Sequence, residues 1–309
     1  MLFKMALKNI LRYKRRTFLT FAILSFGVGF FIWITGVLKG FDSVSTENLI
    51  NFETGHFKVR APGYDKELLF SEENFIKDPD PVMAKISGLP FVTSLTKRIM
   101  MIGEIDNGLD AQACIVYAID PNNDSKVFTV NDFVSDGCLM SGGAVLGKGL
   151  AEDMKVKIGD YVYFTFRTPF GMLDSIELEV TGIINAPDPK VNSSTLFMDL
   201  FELQKNIGMT GVTEIAVKTN DYEKYPAYLP DMTVAAEGLD VLSWKQLGES
   251  FFAVSAMKKK GMGTFILFIA IIALVGIVNT MLMSVLEKKK EIGTLKALGM
   301  TDAEVQKMF

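Results

Sequence analysis

Two uncharged apolar runs decide what this chain can fold into. Residues 17–38 (TFLTFAILSFGVGFFIWITGVL) and 261–286 (GMGTFILFIAIIALVGIVNTMLMSVL) contain no Asp, Glu, Lys or Arg. At about 1.5 Å of rise per residue, roughly 20 apolar residues cross the hydrocarbon core of a bilayer, so each run is long enough to span. A helix buried in a soluble core seldom runs beyond about 14 residues without a charge. The first run does not read as a cleaved signal peptide. The apolar part of such a peptide is about 7–15 residues and ends at small residues. Here the run is longer and leads into Lys39, Gly40, Phe41 and Asp42. An uncleaved anchor is expected.

Charge sets the expected orientation, because basic residues next to a span favour the cytoplasmic side. The first sixteen residues carry Lys4, Lys8, Arg12, Lys14, Arg15 and Arg16 and no acid. The tail, 287–309, has five Lys against Glu287, Glu291, Asp302 and Glu304. Both ends are expected in the cytoplasm of an inner, plasma-type membrane, crossed more than once. Residues 39–260 hold 21 basic against 32 acidic residues and no spanning run, which suits a translocated domain. The Lys258-Lys259-Lys260 triplet before the second run then meets lipid headgroups on the outer side. Residues 1–16 read as an interfacial helix, with Lys4, Lys8 and Arg12 on one side and Phe3, Leu7, Ile10 and Leu11 on the other. A topogenic basic tail is the plainer alternative.

The expected domain plan is therefore a basic segment 1–16, a span 17–38, an outer domain 39–260, a span 261–286 and a cytoplasmic segment 287–309. The outer domain reads as mixed α and β. Strands are expected at 56–60, 92–105 and 111–119, with Asn107-Gly108 as a hairpin signal between the last two. Asp80-Pro81 opens a short helix. Further strands fall at 161–167, 175–184 and 213–219, and helices at 149–156 and 199–207. From Trp244 to Leu286 no proline interrupts, so one 43-residue helix of about 65 Å is expected as a stalk entering the second span.

Little in the chain suggests catalysis. With net charge −4, a nucleic-acid binder is disfavoured. One histidine, His56, has no second imidazole to join it in a metal site or triad. Cys114 and Cys138 either pair in an oxidising compartment or serve as small apolar residues. The run GGAVLGKG, 142–149, matches a phosphate loop except at its last position, where Gly149 replaces the magnesium-binding Ser or Thr. It reads as a turn. No enzyme activity, metal or bound cofactor is expected, and any ATP belongs to a partner.

The tail carries more information. In EKKKEIGTLKALGMTDAE, 287–304, Ile292, Leu295 and Leu298 space an apolar face, and Gly293 and Ala297 make a small-residue patch that another surface can approach closely. Gly299 suits a helix stop, and Thr301 with Glu304 starts a new helix through a capping box. A solvated helix hairpin is the plainer reading.

The chain resembles the permease subunits of the FtsX/MacB-like class of ABC transporters, in organisation most like the lipoprotein-releasing permeases of the LolC and LolE type. The resemblance rests on ALKNILRYKRRTFLT (6–20), TGHFKVRAPGY (54–64), AIDPNN (118–123), GGAVLGKGLAEDMKVKIGDYVYF (142–164) and EKKKEIGTLKALGMT (287–301). It implies an α+β MacB-like periplasmic core domain inserted between the first two transmembrane helices of a multi-pass membrane protein. It implies four spans, so a sequence ending at Phe309 is expected to be a fragment or a truncated product. A separate cytoplasmic ATPase, a second permease subunit, membrane lipid, lipoprotein cargo and a periplasmic carrier are the implied partners. The implied ATPase-coupling residues are Glu291, Ile292, Gly293, Leu295, Lys296, Ala297, Leu298 and Gly299. A carrier-docking hairpin would fall at Pro169, Phe170, Met172 and Leu173, where the residues alone suggest an ordinary hairpin packing its own apolar side chains. The implied work is mechanotransmission that releases lipoproteins. FtsX-type activation of cell-wall hydrolases and MacB-type efflux are the alternatives.

Overall fold

The computed structural model describes residues 14–64, 70–138 and 143–308. Two compact units make up the chain, Ser43–Phe251 and the pair of segments Met1–Asp42 and Phe252–Phe309. In chain order, helix α1 (Lys14–Asn48) ends in a π-helical turn (Leu49–Thr54) and is followed by β1 (Phe57–Arg60), α2 (Asp80–Ser87), β2 (Val92–Asp106) and β3 (Ala111–Ile119). Then come α3 (Pro121–Val127), β4 (Val134–Gly137), β5 (Gly143–Gly147), α4 (Lys148–Met154), β6 (Tyr161–Arg167) and β7 (Leu173–Ile184). The domain finishes with α5 (Pro189–Ser194), β8 (Thr195–Asp199), α6 (Leu200–Ile207), β9 (Glu214–Thr219), α7 (Tyr225–Ala235), β10 (Asp240–Ser243) and α8 (Trp244–Leu247). Helices α9 (Glu249–Glu287), α10 (Lys289–Ala297) and α11 (Asp302–Met308) complete the described chain.

Local chemistry explains the helix starts. Asp120 and Asp188 each precede a proline, whose fixed φ suits the first helical position, and each carboxylate accepts a free backbone N–H of the first turn. Asp199 does the same for α6, accepting from the N–H groups of Phe201 and Glu202. All are short helices laid against a large sheet.

That sheet runs β10-β1-β9-β2-β3-β8-β5-β7-β4, and β6 pairs with both β2 and β7. The fifteen-residue β2 makes this possible. Along one edge it pairs with β9 through Val92–Arg98 and then with β6 through Gly103–Asp106, while its other edge holds β3. The pairings β2-β3-β8-β5-β7-β6 therefore close a six-stranded ring. Strict alternation along β6 sends Val162, Phe164 and Phe166 inside, where they meet Leu178, Val180, Leu146 and Leu196 in one apolar cluster. A β-carbon on Gly103 would lie 2.5 Å from the Thr165 carbonyl oxygen, so glycine lets β2 and β6 approach at the closing seam. A second apolar cluster, with Phe52, Tyr117, Phe128, Val145 and Phe197, covers another part of the sheet.

Several expectations change. The helix expected to run unbroken from Trp244 stops at Leu247, where Gly248 caps α8, and restarts at Glu249. α9 is thus 39 residues, about 58 Å long. The first helix passes the expected boundary at Leu38 and continues to Asn48. The two cysteines are free, Cys114 buried and Cys138 exposed; burial pushes the Cys114 thiol up to about 12. In the phosphate-loop-like run, residues 143–147 form β5. A β-carbon on Gly147 would collide with the Val191 carbonyl oxygen at 2.2 Å, so this glycine serves the packing of α4 against α5. The interfacial helix expected over residues 1–16 lies outside the described residues as far as residue 13.

Candidate functional site

Three places are candidates: the roots of the two long helices on the α+β domain, the β6–β7 hairpin tip, and the segment after α9. The first root is the π-helical turn. A helix end leaves carbonyls without partners inside the helix, and here four successive ones are answered. The Leu49 carbonyl accepts from Thr54 Oγ1 at 3.2 Å. That of Ile50 accepts from the Gly55 N–H at 3.0 Å, and that of Asn51 from Thr129 N–H at 3.2 Å. The Phe52 carbonyl accepts from Arg98 Nη1 at 3.3 Å.

Arg98 is fully buried on β2 and binds three elements at once. Its Nε and Nη2 meet the Asp124 carboxylate in a two-point pair, each contact at 2.7 Å. The guanidinium lies 3.3 Å from the centre of the Phe128 ring. A planar fork satisfied on both sides is the form in which a buried arginine is tolerable. It ties the sheet, α3 and the first helix root together.

Strand β1 carries the second cluster. Phe57 and Val59 face the larger core, while Lys58 and Arg60 point the other way into a buried charge triad with Glu214 of β9. Lys58 Nζ is 2.7 and 2.8 Å from the two Glu214 oxygens, and Arg60 Nη2 donates to Oε2 at 2.9 Å. Burial alone would raise the Glu214 pKa, but the charges of Lys58 and Arg60 outweigh it and hold it at about 2. Burial lowers Lys58 to about 8, against the opposing pull of Glu214. All three remain charged at neutral pH.

The second helix root meets the same strand. β10 pairs with β1 from Phe57↔Ser243 to Arg60↔Asp240. Ser243 and Gln246 form a reciprocal capping box that starts α8. The Trp244 N–H donates to the His56 carbonyl at 3.0 Å, and its indole Nε1 to the Tyr222 carbonyl at 2.9 Å. His56 is engaged by the fold on one side of its ring. The Thr219 N–H donates to its Nδ1 at 3.0 Å, so Nδ1 is the acceptor and the ring proton sits on Nε2. Burial first, and Lys218 second, lower its pKa to about 4, with Asp221 opposing. The residues between Leu49 and Arg60 thus hold both helix roots. Periodicity could not find this, because the partners lie between 46 and 188 positions away in sequence.

At the hairpin tip, the Thr168 N–H donates to the Met172 carbonyl at 2.7 Å and the Gly171 N–H to the Thr168 carbonyl at 2.9 Å. Gly171 takes a φ of +83°, which the turn requires. Phe170, Met172 and Leu173 are 61%, 64% and 73% exposed, and Pro169 is half-buried. The tip presents its apolar side chains instead of packing them.

The tail forms the expected helix pair. Glu291, Ile292, Gly293, Leu295, Lys296 and Ala297 lie in α10, with Leu298 as its cap. Gly299, at φ +95°, ends it. Its N–H donates to the Lys296 carbonyl at 3.0 Å and that of Met300 to the Leu295 carbonyl at 3.2 Å, the two bonds of a Schellman stop. Glu304 accepts from the Thr301 N–H and hydroxyl at 2.9 and 2.8 Å, which holds its carboxyl below the ordinary glutamate value. Lys296 pairs with Asp302. Ile292 and Leu295 are half-buried, whereas Gly293, Ala297, Leu298 and Gly299 are exposed. Among the described residues, no group of three or more His, Cys, Asp or Glu could hold a metal ion.

Helices α1 and α9 expose their apolar side chains, including Phe21, Phe31, Trp33, Phe265 and Ile272. Both are long and apolar enough to cross a membrane. In the chain, the α+β domain lies between them and the helix pair follows α9. Residues 17–233 match the MacB-like periplasmic core domain family, to which the chain belongs, and residues 263–309 match the FtsX-like permease C-terminal family. The lipoprotein-releasing system transmembrane protein LolC of Xylella fastidiosa is 25% identical over 317 residues, covering 97% of this chain and 74% of that protein. LolC of Neisseria meningitidis serogroup B is 24% identical over 311 residues, covering 95% and 71%. The crystal structure of the periplasmic region of MacB from Actinobacillus actinomycetemcomitans aligns with a TM-score of 0.43 at 14% identity, over 67% of this chain and 97% of that one.

Proposed function

We propose that the chain is a permease subunit that releases lipoproteins from the inner membrane, driven by a separate ATPase that binds its 287–309 segment on the cytoplasmic side. The observation that carries this reading is the similarity to LolC along 97% of the chain, outer domain and tail included. The arrangement suits mechanical work. The turn after α1 runs on into β1, and the short helix before α9 follows β10, which pairs with β1, so a displacement of either root bears on one strand. A small-residue surface on α10, formed by Gly293 and Ala297, is open to a partner. The exposed Phe170, Met172 and Leu173 offer a periplasmic carrier an apolar contact, and a second permease subunit completes the assembly.

Depletion of the full-length protein tests the cargo. Lipoproteins retained in the inner membrane are the expected outcome; normal lipoprotein sorting with defective cell separation refutes it in favour of an FtsX-type role. The ATPase contact is tested by co-purification. Gly293 is exposed and a β-carbon on it meets nothing within 4 Å, so Gly293→Trp starts its added bulk in open space on the face offered to a partner. Gly293→Trp and Ala297→Glu are each expected to abolish capture of the ATPase. Retained capture in both rejects the coupling assignment.

A further inference from the structure

We propose that Asp42 is a releasable latch that holds α1 and α9 together immediately outside their lipid-length runs. Asp42 lies one turn beyond the uncharged run that ends at Leu38. Its Oδ1 accepts from Ser255 Oγ at 2.5 Å, and its Oδ2 lies 2.6 Å from Lys259 Nζ. Ser255 and Lys259 are four residues apart, so they stand one above the other on a single face of α9. One carboxylate therefore grips two successive turns of the other helix. Beside it, Lys258 Nζ sits 5.6 Å from the centre of the Phe41 ring, a second contact between the same two turns.

The depth of the contact makes it releasable. The Lys259 side chain is 58% exposed and that of Asp42 25%. An ion pair reached by water changes an equilibrium by only about threefold to fivefold, far less than a buried one. Among the described residues, glycines, where membrane helices usually approach closely, do not lock the pair at the positions that follow. A β-carbon built on Gly27, Gly29, Gly36, Gly40, Gly261 or Gly263 meets nothing within 4 Å. At these glycines neither helix comes close to the other, and the polar contact at Asp42 sets their spacing. Opening it would widen the cleft between the helices at the level of the lipid headgroups.

The test uses the full chain in phosphatidylethanolamine–phosphatidylglycerol vesicles, with spin labels at Lys39→Cys and Met257→Cys in a Cys138→Ser background. Lys39 and Met257 are exposed, and Cys114 is buried. Pulsed dipolar spectroscopy is expected to give one narrow distance in the parent. Asp42→Asn should raise the longer-distance population about threefold to fivefold. The exchange Asp42→Lys with Lys259→Asp should restore the narrow distance. Salt at about 1 M, where charges are screened within about 3 Å, should open the parent and leave Asp42→Asn unchanged. A broad distribution in the parent, identical distributions in the parent and Asp42→Asn, or an exchanged pair that stays as open as the Asn variant would each overturn the latch.

Discussion

Replacing Glu214 by Gln would leave two cations, Lys58 and Arg60, buried beside a neutral amide. The parent triad is sealed from water, with Glu214 fully buried and Lys58 only 2% exposed at its side chain. Removing one partner of such a group costs on the order of 3–5 kcal/mol, because the remaining charges keep their desolvation penalty and lose their attraction. That is a large part of a typical domain stability of about 5–15 kcal/mol. Arg60 cannot discharge, but Lys58 can. Its pKa is about 8 in the fold against an ordinary 10.5, and without Glu214 it drops below 8. The variant then gains stability relative to the parent as pH rises toward 8, because its unfolded chain binds a proton that its folded chain has lost. On the acid side the parent loses the Glu214 contribution as pH falls from 4.5 toward 2. The gap between the two proteins should therefore be widest near about pH 5–6 and narrow in both directions. Urea unfolding in detergent, followed by Trp244 fluorescence in a Trp33→Phe background, measures it. A gap below about 1 kcal/mol, or one that does not change with pH, would refute the reasoning. The triple change Lys58→Met, Arg60→Leu, Glu214→Leu should recover most of the loss, since an apolar replacement of a buried ion cluster leaves no stranded charge.

Other outcomes follow from single sites. His56 titrates at about 4 in the fold against 6.5 ordinarily, so its contribution is complete above pH 6.5 and falls by about 3 kcal/mol as pH drops to 4; His56→Gln should flatten that part of the stability curve. A membrane-impermeant maleimide added to spheroplasts should label Cys138 quickly and spare Cys114, and absence of labelling at Cys138 until the membrane is broken would invert the proposed orientation. Gly103→Val should prevent the β2–β6 seam from closing and cost more than about 3 kcal/mol, read as loss of folded yield, whereas Gly108→Ala at the open turn should cost about 1 kcal/mol.

What the chain could say about itself was whatever repeats locally. The two uncharged runs, the alternation along 161–167 and 175–184, the Asp-Pro helix starts and the Gly299 stop all depend on neighbours within a few residues, and the helices and strands appear where those signals lie. The tail residues from Ile292 to Gly299 were legible for the same reason, since an apolar spacing, a small-residue patch and a stop signal fit inside two turns. Tertiary structure alone decided the rest. That β2 serves β9, β6 and β3 and so closes a ring depends on pairings between strands far apart in sequence. Nothing local marks Lys58, Arg60 and Arg98 as buried, because only the folded sheet brings Glu214 and Asp124 against them and repays their burial. Gly248, a weak point in a long helical pattern, became a break because it closes the single turn of α8, its N–H donating to the Trp244 carbonyl. Local spacing encodes which element forms; which elements meet, and therefore where both helix roots are anchored, is set by long-range burial of charge and apolar surface together.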